Sequence, residues 1–189
     1  IVLAGTARGG AGRDLDFPKS SPIHGVQRST DGGRTWTLVL RGEISELVRH
    51  PADFSHQYAA IGPPKGVPGG ATPGPMPNGL YRTTDTGDHW TPVAGPWTSL
   101  AGGSGYGSGY MALAVAPSNP DVMYASVQSP CCTGSQDLLG LFRTNNAWAA
   151  TPEWTQIPID AVIEGNPKPG YCYGGAACAY QHVISVDAA

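Results

Sequence analysis

The stretch Ser29-Thr30-Asp31-Gly32-Gly33-Arg34-Thr35-Trp36 decides the fold, because it returns as Thr83-Thr84-Asp85-Thr86-Gly87-Asp88-His89-Trp90. Both stretches have the pattern Ser/Thr-x-Asp-x-Gly-x-x-Trp. Each also follows a similar lead-in, which is Gly25-Val26-Gln27-Arg28 before the first copy and Gly79-Leu80-Tyr81-Arg82 before the second. Two copies with matching lead-ins indicate an internal repeat.

A third, degenerate copy follows the lead-in Gly140-Leu141-Phe142-Arg143. In this copy Asn146 takes the Asp position, the Gly is lost and the closing aromatic residue is delayed to Trp154. The three lead-ins begin at residues 25, 79 and 140. Repetition at this period indicates a blade-type or solenoid array.

The motif has the chemistry of a turn between two strands. Its Asp can accept hydrogen bonds from the backbone N–H groups just ahead, and its Gly supplies a backbone angle that other residues avoid. The Ser or Thr hydroxyl adds a local bond, and the Trp is expected to fold back as an apolar plug. A metal or sugar site at Asp31 and Asp85 is the alternative, but one Asp per repeat supplies too few oxygens for calcium. The residues assigned to this structural role are Ser29, Asp31, Gly33, Trp36, Thr83, Asp85, Gly87, Trp90, Asn146 and Trp154.

These motifs resemble the Asp-box (BNR) repeats of sialidase-like, sortilin-like and xyloglucanase-like β-propellers. The resemblance spans most of the chain and implies the fold. It does not select a function, because Asp-box propellers include enzymes, receptors and assembly factors.

The composition favours short strands joined by turns. The 189 residues include 27 Gly and 18 Pro, only 13% are charged, and 40% are hydrophobic, which is too many for a disordered chain. The net charge of −3, without a basic cluster, argues against a nucleic-acid partner. No apolar run approaches the roughly 20 residues of a membrane span, and no phosphate-binding loop or other cofactor motif is present. We therefore predict no cofactor.

Four cysteines bear on the compartment, namely Cys131, Cys132, Cys172 and Cys178. Four cysteines allow three disulfide connectivities, and the sequence does not choose among them. A zinc site is the alternative, but no spacing matches a standard one, so no metal site is predicted. Disulfides favour an exported protein that is secreted, at the cell surface or periplasmic.

The order of strand-like segments predicts an all-β chain of about three four-stranded antiparallel blades, with strands A to D from inner to outer. Residues 1–43 form blade one without its first strand, 44–110 form blade two, 111–181 form blade three, and 182–189 begin a further blade. A closed ring of three blades would be too tight, and an open stack would expose sheet edges. We therefore expect a larger ring of six to eight blades. The remaining blades would come from the same polypeptide or from further copies of the chain.

The face that carries the B–C and D–A loops is the predicted binding face, because these loops are long and differ from blade to blade. Its candidate ligand-binding residues are Arg13, Trp97, Tyr106, Tyr110, Tyr171 and Tyr173. Aromatic rings beside carboxylates suit sugars, and packing of the loops onto the disc is the alternative role for the same rings. The carboxylates available to a glycosidase on these loops are Asp14, Asp16, Asp137 and Glu164, and no pair among them stands out.

These observations predict an exported propeller that binds a glycan or cell-surface polymer. One alternative is a glycoside hydrolase, sialidase- or xyloglucanase-like, whose catalytic carboxylates lie on the long-loop face or in other blades. A second alternative is a protein-assembly or peptide-docking module.

Overall fold

The computed structural model describes residues 1–7, 24–62, 78–97, 108–128, 138–158 and 184–187. Eleven strands lie in these ranges. They are β1 (Val2–Gly5), β2 (Gly25–Ser29), β3 (Thr37–Arg41), β4 (Ile44–Arg49), β5 (Gln57–Ile61), β6 (Gly79–Thr83), β7 (Thr91–Val93), β8 (Met111–Val115), β9 (Met123–Gln128), β10 (Leu138–Thr144) and β11 (Trp154–Ile157).

The strands form three antiparallel sheets, each in simple chain order. Blade one contains β1, β2 and β3, blade two contains β4 to β7, and blade three contains β8 to β11. This arrangement is that of an all-β propeller segment, as the repeats predict. Within the described ranges, no helix is long and apolar enough to cross a membrane.

Of the segment 182–189, which we expect to begin a further blade, the structure describes residues 184–187, and these carry no strand. A strand exists only when its backbone groups pair with a neighbour, and sequence alternation alone cannot supply that neighbour.

The core lies between neighbouring blades. One buried cluster joins blades two and three through side chains such as Tyr58, Leu80, Met111 and Phe142. All five residues of β5 are buried, since this central strand is covered on both faces. Packing of one sheet against the next therefore holds the segment together.

The short turns share one edge of the blades and the long loops share the other. The C–D turn of blade two donates from Thr86 N to Ser55 O of its A–B turn, at 3.2 Å. On the opposite edge, Asn78 Nδ2 donates to Ser108 O, at 2.9 Å, and so ties the end of one long loop to the end of the next. These contacts place the A–B and C–D turns on one face and the long loops on the other.

Candidate binding site on the long-loop face

The first repeat turn, residues 29–36, is held by a single carboxylate. Asp31 Oδ1 accepts hydrogen bonds from Arg34 N and Thr35 N, both at 2.9 Å, and Oδ2 accepts from Thr35 Oγ1 at 2.7 Å. Ser29 Oγ donates to Asp31 Oδ1 at 2.8 Å and accepts from Gly33 N at 2.8 Å. Because these donors favour the ionised form, the pKa of Asp31 is well below its usual value, with the Thr35 backbone as the largest cause.

The second repeat turn, residues 83–90, repeats this geometry. Asp85 Oδ1 accepts from Asp88 N and His89 N, both at 3.0 Å, and from Thr83 Oγ1 at 2.7 Å. Thr83 Oγ1 accepts from Gly87 N at 3.0 Å. The carboxylate thus occupies the centre of the turn, as Asp31 does in the first.

The third repeat turn, residues 144–154, keeps part of the pattern in spite of its longer sequence. Asn146 Oδ1 accepts from Thr144 Oγ1 at 2.8 Å and from Glu153 N at 2.8 Å. An amide oxygen therefore replaces the carboxylate, and the backbone donor comes from seven residues ahead instead of three or four.

The closing tryptophans differ in burial. Trp36 Nε1 donates to Gly33 O at 3.0 Å and Trp90 Nε1 donates to Gly87 O at 3.1 Å, so both rings fold back over their turns. Trp154 is 9% exposed, whereas Trp36 is 43% exposed. The expectation of a buried plug therefore does not describe Trp36, whose ring covers its own turn and little else.

The repeat turns offer little to a ligand. Asp85, Asp88 and His89 bring their ligand atoms within 4.8 Å of one another and are all exposed. However, both Asp85 oxygens already accept hydrogen bonds within the turn. The geometry of this face is that of a strand–turn–strand staple.

Most candidate residues on the opposite face lie outside the described residues. These are Arg13, Asp14, Asp16, Tyr106, Asp137, Glu164, Tyr171 and Tyr173, together with the cysteines Cys131, Cys132, Cys172 and Cys178. The structure describes two of the candidates, Trp97 and Tyr110.

Trp97 is part of the core. Its side chain is fully buried, with its ring centroid 5.4 Å from that of Phe142 and 5.3 Å from that of Trp154, both in edge-to-face geometry. Trp97 therefore packs the end of blade two onto blade three. This placement corresponds to the packing role that the sequence left open for the loop aromatics.

Tyr110 lies on the long-loop side, one residue before β8. Its backbone is fixed by Gln128, because Gln128 N donates to Tyr110 O at 2.9 Å and Tyr110 N donates to Gln128 Oε1 at 3.4 Å. Its side chain is half-buried. Burial raises the pKa of the Tyr110 phenol, and the nearby negative charge of Glu46 raises it further.

Glu46 is a site residue that the sequence analysis missed. It lies in β4, directly after a bulge at Ser45, where the pairing of β4 with β5 shifts by one residue. The Ser45 hydroxyl fixes this bulge by donating to Met111 O at 3.1 Å and accepting from Met111 N at 3.3 Å. Bulges re-aim the side chain that follows them.

The Glu46 carboxyl is half-buried between two blades. Desolvation raises its pKa, and hydrogen bonds from the Leu47 and Leu113 backbone N–H groups oppose part of that shift. The sequence did contain a signal for this residue, because Glu46 alternates with the apolar residues Ile44 and Val48 along β4. Blade three has Ala112 in the corresponding place, so Glu46 does not belong to the repeat.

Glu46 in β4 and Tyr110 beside β8 therefore lie near each other, because β4 packs on β8 and the Glu46 charge acts on the Tyr110 phenol. One is a carboxyl that keeps its proton to higher pH than usual, and the other is a phenol that can donate a hydrogen bond. A few such polar groups, placed on rigid strands, can orient a hydroxyl-rich ligand.

The fold is similar to that of solved GH74 enzymes. An ancestral GH74 enzyme matches 88% of this chain at 18% identity with a TM-score of 0.54, over 19% of its own chain. The GH74 xyloglucanase from Xanthomonas campestris matches 72% of this chain at 26% identity with a TM-score of 0.48, over 18% of its own. The GH74 enzyme from Niastella koreensis matches 71% at 17% identity with a TM-score of 0.44, also over 18%.

The chain therefore spans less than a fifth of the length of these enzymes. The ancestral enzyme supports the propeller fold. No protein-family model and no curated protein matches the sequence.

Proposed function

We propose that this chain is part of an exported β-propeller that binds a glycan on its long-loop face. The observation that carries the proposal is the half-buried Glu46 carboxyl between blades two and three, close enough to Tyr110 for its charge to raise the pKa of that phenol. Both side chains are partly buried. Glu46 lies in β4, and the Tyr110 backbone is held directly before β8 by hydrogen bonds to Gln128 of β9.

The physical reason is that burying the Glu46 carboxyl lowers the stability of the fold. A carboxyl whose pKa is raised by burial destabilises the fold at neutral pH, and residues with that property concentrate at functional sites. Of the aromatic residues predicted on the same face, Tyr106, Tyr171 and Tyr173 would supply the apolar surface that sugar rings need. Xyloglucan is the first ligand to test, because the sequence resembles xyloglucan-active propellers and one of the similar structures is a xyloglucanase.

A glycoside hydrolase is the second candidate function, favoured by the same raised pKa. A general acid must keep its proton near the working pH, and burial of Glu46 acts in that direction. A hydrolase also needs a second carboxyl about 5 to 10 Å away. The candidates Asp14, Asp16, Asp137 and Glu164 from the sequence remain the ones to test for that role.

Glu46→Gln and Tyr110→Phe test the proposal in the complete polypeptide that contains this sequence. Xyloglucan, cellulose and mannan are the probes, and affinity electrophoresis measures binding. We expect both variants to bind at least one glycan about tenfold more weakly than the unmodified protein does. Asp121→Asn, at an exposed carboxyl on the repeat-turn face, is the matched control and should bind normally. Normal binding by both site variants, or no glycan binding by the unmodified protein, would refute the proposal.

Release of reducing ends from the bound glycan separates the two functions. A binding protein shows affinity without turnover. A hydrolase releases reducing ends, loses turnover on Glu46→Gln, and retains binding if Glu46 is the acid. Retained turnover in this variant would exclude Glu46 from that role.

A further inference from the structure

Blade one contacts blade two through a pair of side chains that face each other across β1 and β2. Leu3 and Arg28 are direct cross-strand neighbours. Arg28 Nε donates to Thr86 O at 3.0 Å, and Arg28 Nη1 lies 3.6 Å from Asp88 Oδ1. Leu3 packs on Gly87, where an added Cβ would lie only 2.6 Å from Leu3 Cδ1. The pair thus binds the repeat turn of the next blade, Arg28 by polar contacts and Leu3 by packing.

Blade two contacts blade three in the same way. Tyr58 and Arg82 are direct cross-strand neighbours on β5 and β6. Arg82 Nη1 donates to Ala149 O, and Nη2 donates to Ala150 O at 3.1 Å. The Tyr58 hydroxyl donates to Ala147 O, and burial raises the pKa of Tyr58 to about 12. Main-chain carbonyls of the third repeat turn are therefore the acceptors.

Blade three carries the same pair. Tyr124 and Arg143 are cross-strand neighbours on β9 and β10, at the positions of Tyr58 and Arg82. The Arg143 guanidinium lies 5.8 Å from the Tyr124 ring centroid. Its Nε atom, like that of Arg82, is buried without a hydrogen-bond partner in the described part of the chain.

Beside Arg143 lies a cavity of about 500 Å³. Arg143, Asn145, Glu153 and Gln156 are among its lining residues. No repeat turn within the described ranges lies against Arg143, whereas Arg28 and Arg82 each have one. Blade three thus presents the arginine side of the contact between a lead-in Arg and the next repeat turn, which occurs between blades one and two and between blades two and three.

We propose that Tyr124 and Arg143 dock the repeat turn of a further blade of the same polypeptide. The terminal nitrogens of Arg143 donate to main-chain carbonyls of that turn, and the Tyr124 hydroxyl donates to another. We assign the docked blade to the same polypeptide because each of the two observed pairs contacts the blade that follows it in the chain. The ancestral GH74 enzyme, in which the matching region is 19% of the chain, shows that this fold occurs within longer chains.

Photo-cross-linking in the complete polypeptide tests this docking. Arg143→p-benzoylphenylalanine should cross-link to a peptide outside residues 1–189 that has the pattern Ser/Thr-x-Asp-x-Gly-x-x-Trp or a degenerate form of it. Arg82→p-benzoylphenylalanine is the matched control and should cross-link to residues 147–150. A cross-link from position 143 to residues 29–36 would mean that a second copy, or ring closure, occupies the surface, and would overturn the proposal. No cross-link from position 143, with a normal control, would also overturn it.

Thermal unfolding provides a second measurement if a cross-linking variant fails to fold. Arg143→Gln and Arg82→Gln should lower the unfolding midpoint of the complete polypeptide by similar amounts, because each loses donors to a neighbouring blade. An unchanged midpoint for Arg143→Gln, beside a lowered one for Arg82→Gln, would show that no blade is docked on Arg143.

Discussion

His89 Nδ1 lies 2.7 Å from Asp85 Oδ2, at the place where Thr35 Oγ1 donates to Asp31 Oδ2 at the same distance in the first repeat turn. The second carboxylate oxygen of the central Asp therefore has a side-chain partner in both turns, a hydroxyl in the first and an imidazole in the second. Unlike the Thr35 hydroxyl, the imidazole can carry a positive charge. The carboxylate of Asp85 raises the pKa of His89, and that of Asp88 adds a smaller effect. Arg28, which lies 3.6 Å from Asp88, is the other charged group at this turn.

This pair predicts a pH dependence near neutral pH for the second turn, where the first turn has Thr35 in place of His89. Because the folded pKa of His89 is above its unfolded value near 6.5, the stability it adds is fully present below that value. It is lost as the pH rises through the folded pKa. We expect the unfolding midpoints of the unmodified protein and of His89→Thr, which copies the first turn, to converge as the pH rises above about 6.5. Thermal unfolding across that range measures this, and a constant difference would contradict the ion pair.

The carboxylate of Asp31 predicts a dependence of opposite direction. Its folded pKa is lowered, so its stabilisation is present above the unfolded value of 3.8 and is lost as the pH falls through the folded pKa. Asp31→Asn keeps one acceptor, as Asn146 does, but loses the acceptor of the Thr35 hydroxyl. Urea unfolding should show this variant less stable than the unmodified protein at pH 7, with the difference shrinking below about pH 4.

Asp121→Asn is the control for Asp31→Asn. It removes one exposed carboxylate outside the repeat turns, and so measures the loss of a surface charge alone. If Asp31→Asn changed stability no more than Asp121→Asn does, the carboxylate would not be holding its turn.

Gly33 and Gly87 form a matched pair for testing the contact between blades one and two. Both have positive φ, +90° and +81°, so alanine at either position costs about 1 kcal/mol in backbone strain. A Cβ at Gly33 would meet only Trp36, at 3.6 Å, whereas one at Gly87 would lie 2.6 Å from Leu3. Chemical unfolding should show Gly87→Ala to be less stable than Gly33→Ala by about 1 to 3 kcal/mol from overpacking.

Leu3→Ala in the Gly87→Ala background provides the check. Removing the Leu3 side chain makes room for the new methyl group, so the two substitutions together should cost less than the sum of their separate effects. Simple additivity would show that Leu3 does not press on this turn.

Glu46 predicts a stability penalty at neutral pH. Its folded pKa is raised above the usual 4.5, so the folded state is favoured where the carboxyl is protonated and loses stability as the pH rises from the unfolded pKa through the folded one. Glu46→Gln cannot ionise. Relative to the unmodified protein, it should therefore gain stability as the pH rises above about 4.5, measured by urea unfolding. A pH-independent difference would mean that burial does not strain this carboxyl.

The repeat made most of the fold predictable. The observed fold is the all-β propeller segment of antiparallel blades that the repeat predicts. Turn chemistry and alternation are local, so three copies of one motif fix the strands around them. The candidate site was harder to predict from the sequence, because nothing local distinguishes Glu46 from any other charged residue in a strand.

By itself, the sequence determined the repeat, the strands beside each turn and the roles of Asp31 and Asp85, because these depend on hydrogen bonds within a few residues. Only the tertiary structure decided that Trp97 packs in the core, that Glu46 lies near Tyr110, and that Arg28 and Arg82 donate hydrogen bonds to the repeat turn of the next blade. These relationships join residues far apart in the chain. Their physical reason is the packing of one sheet against the next, which no local pattern encodes.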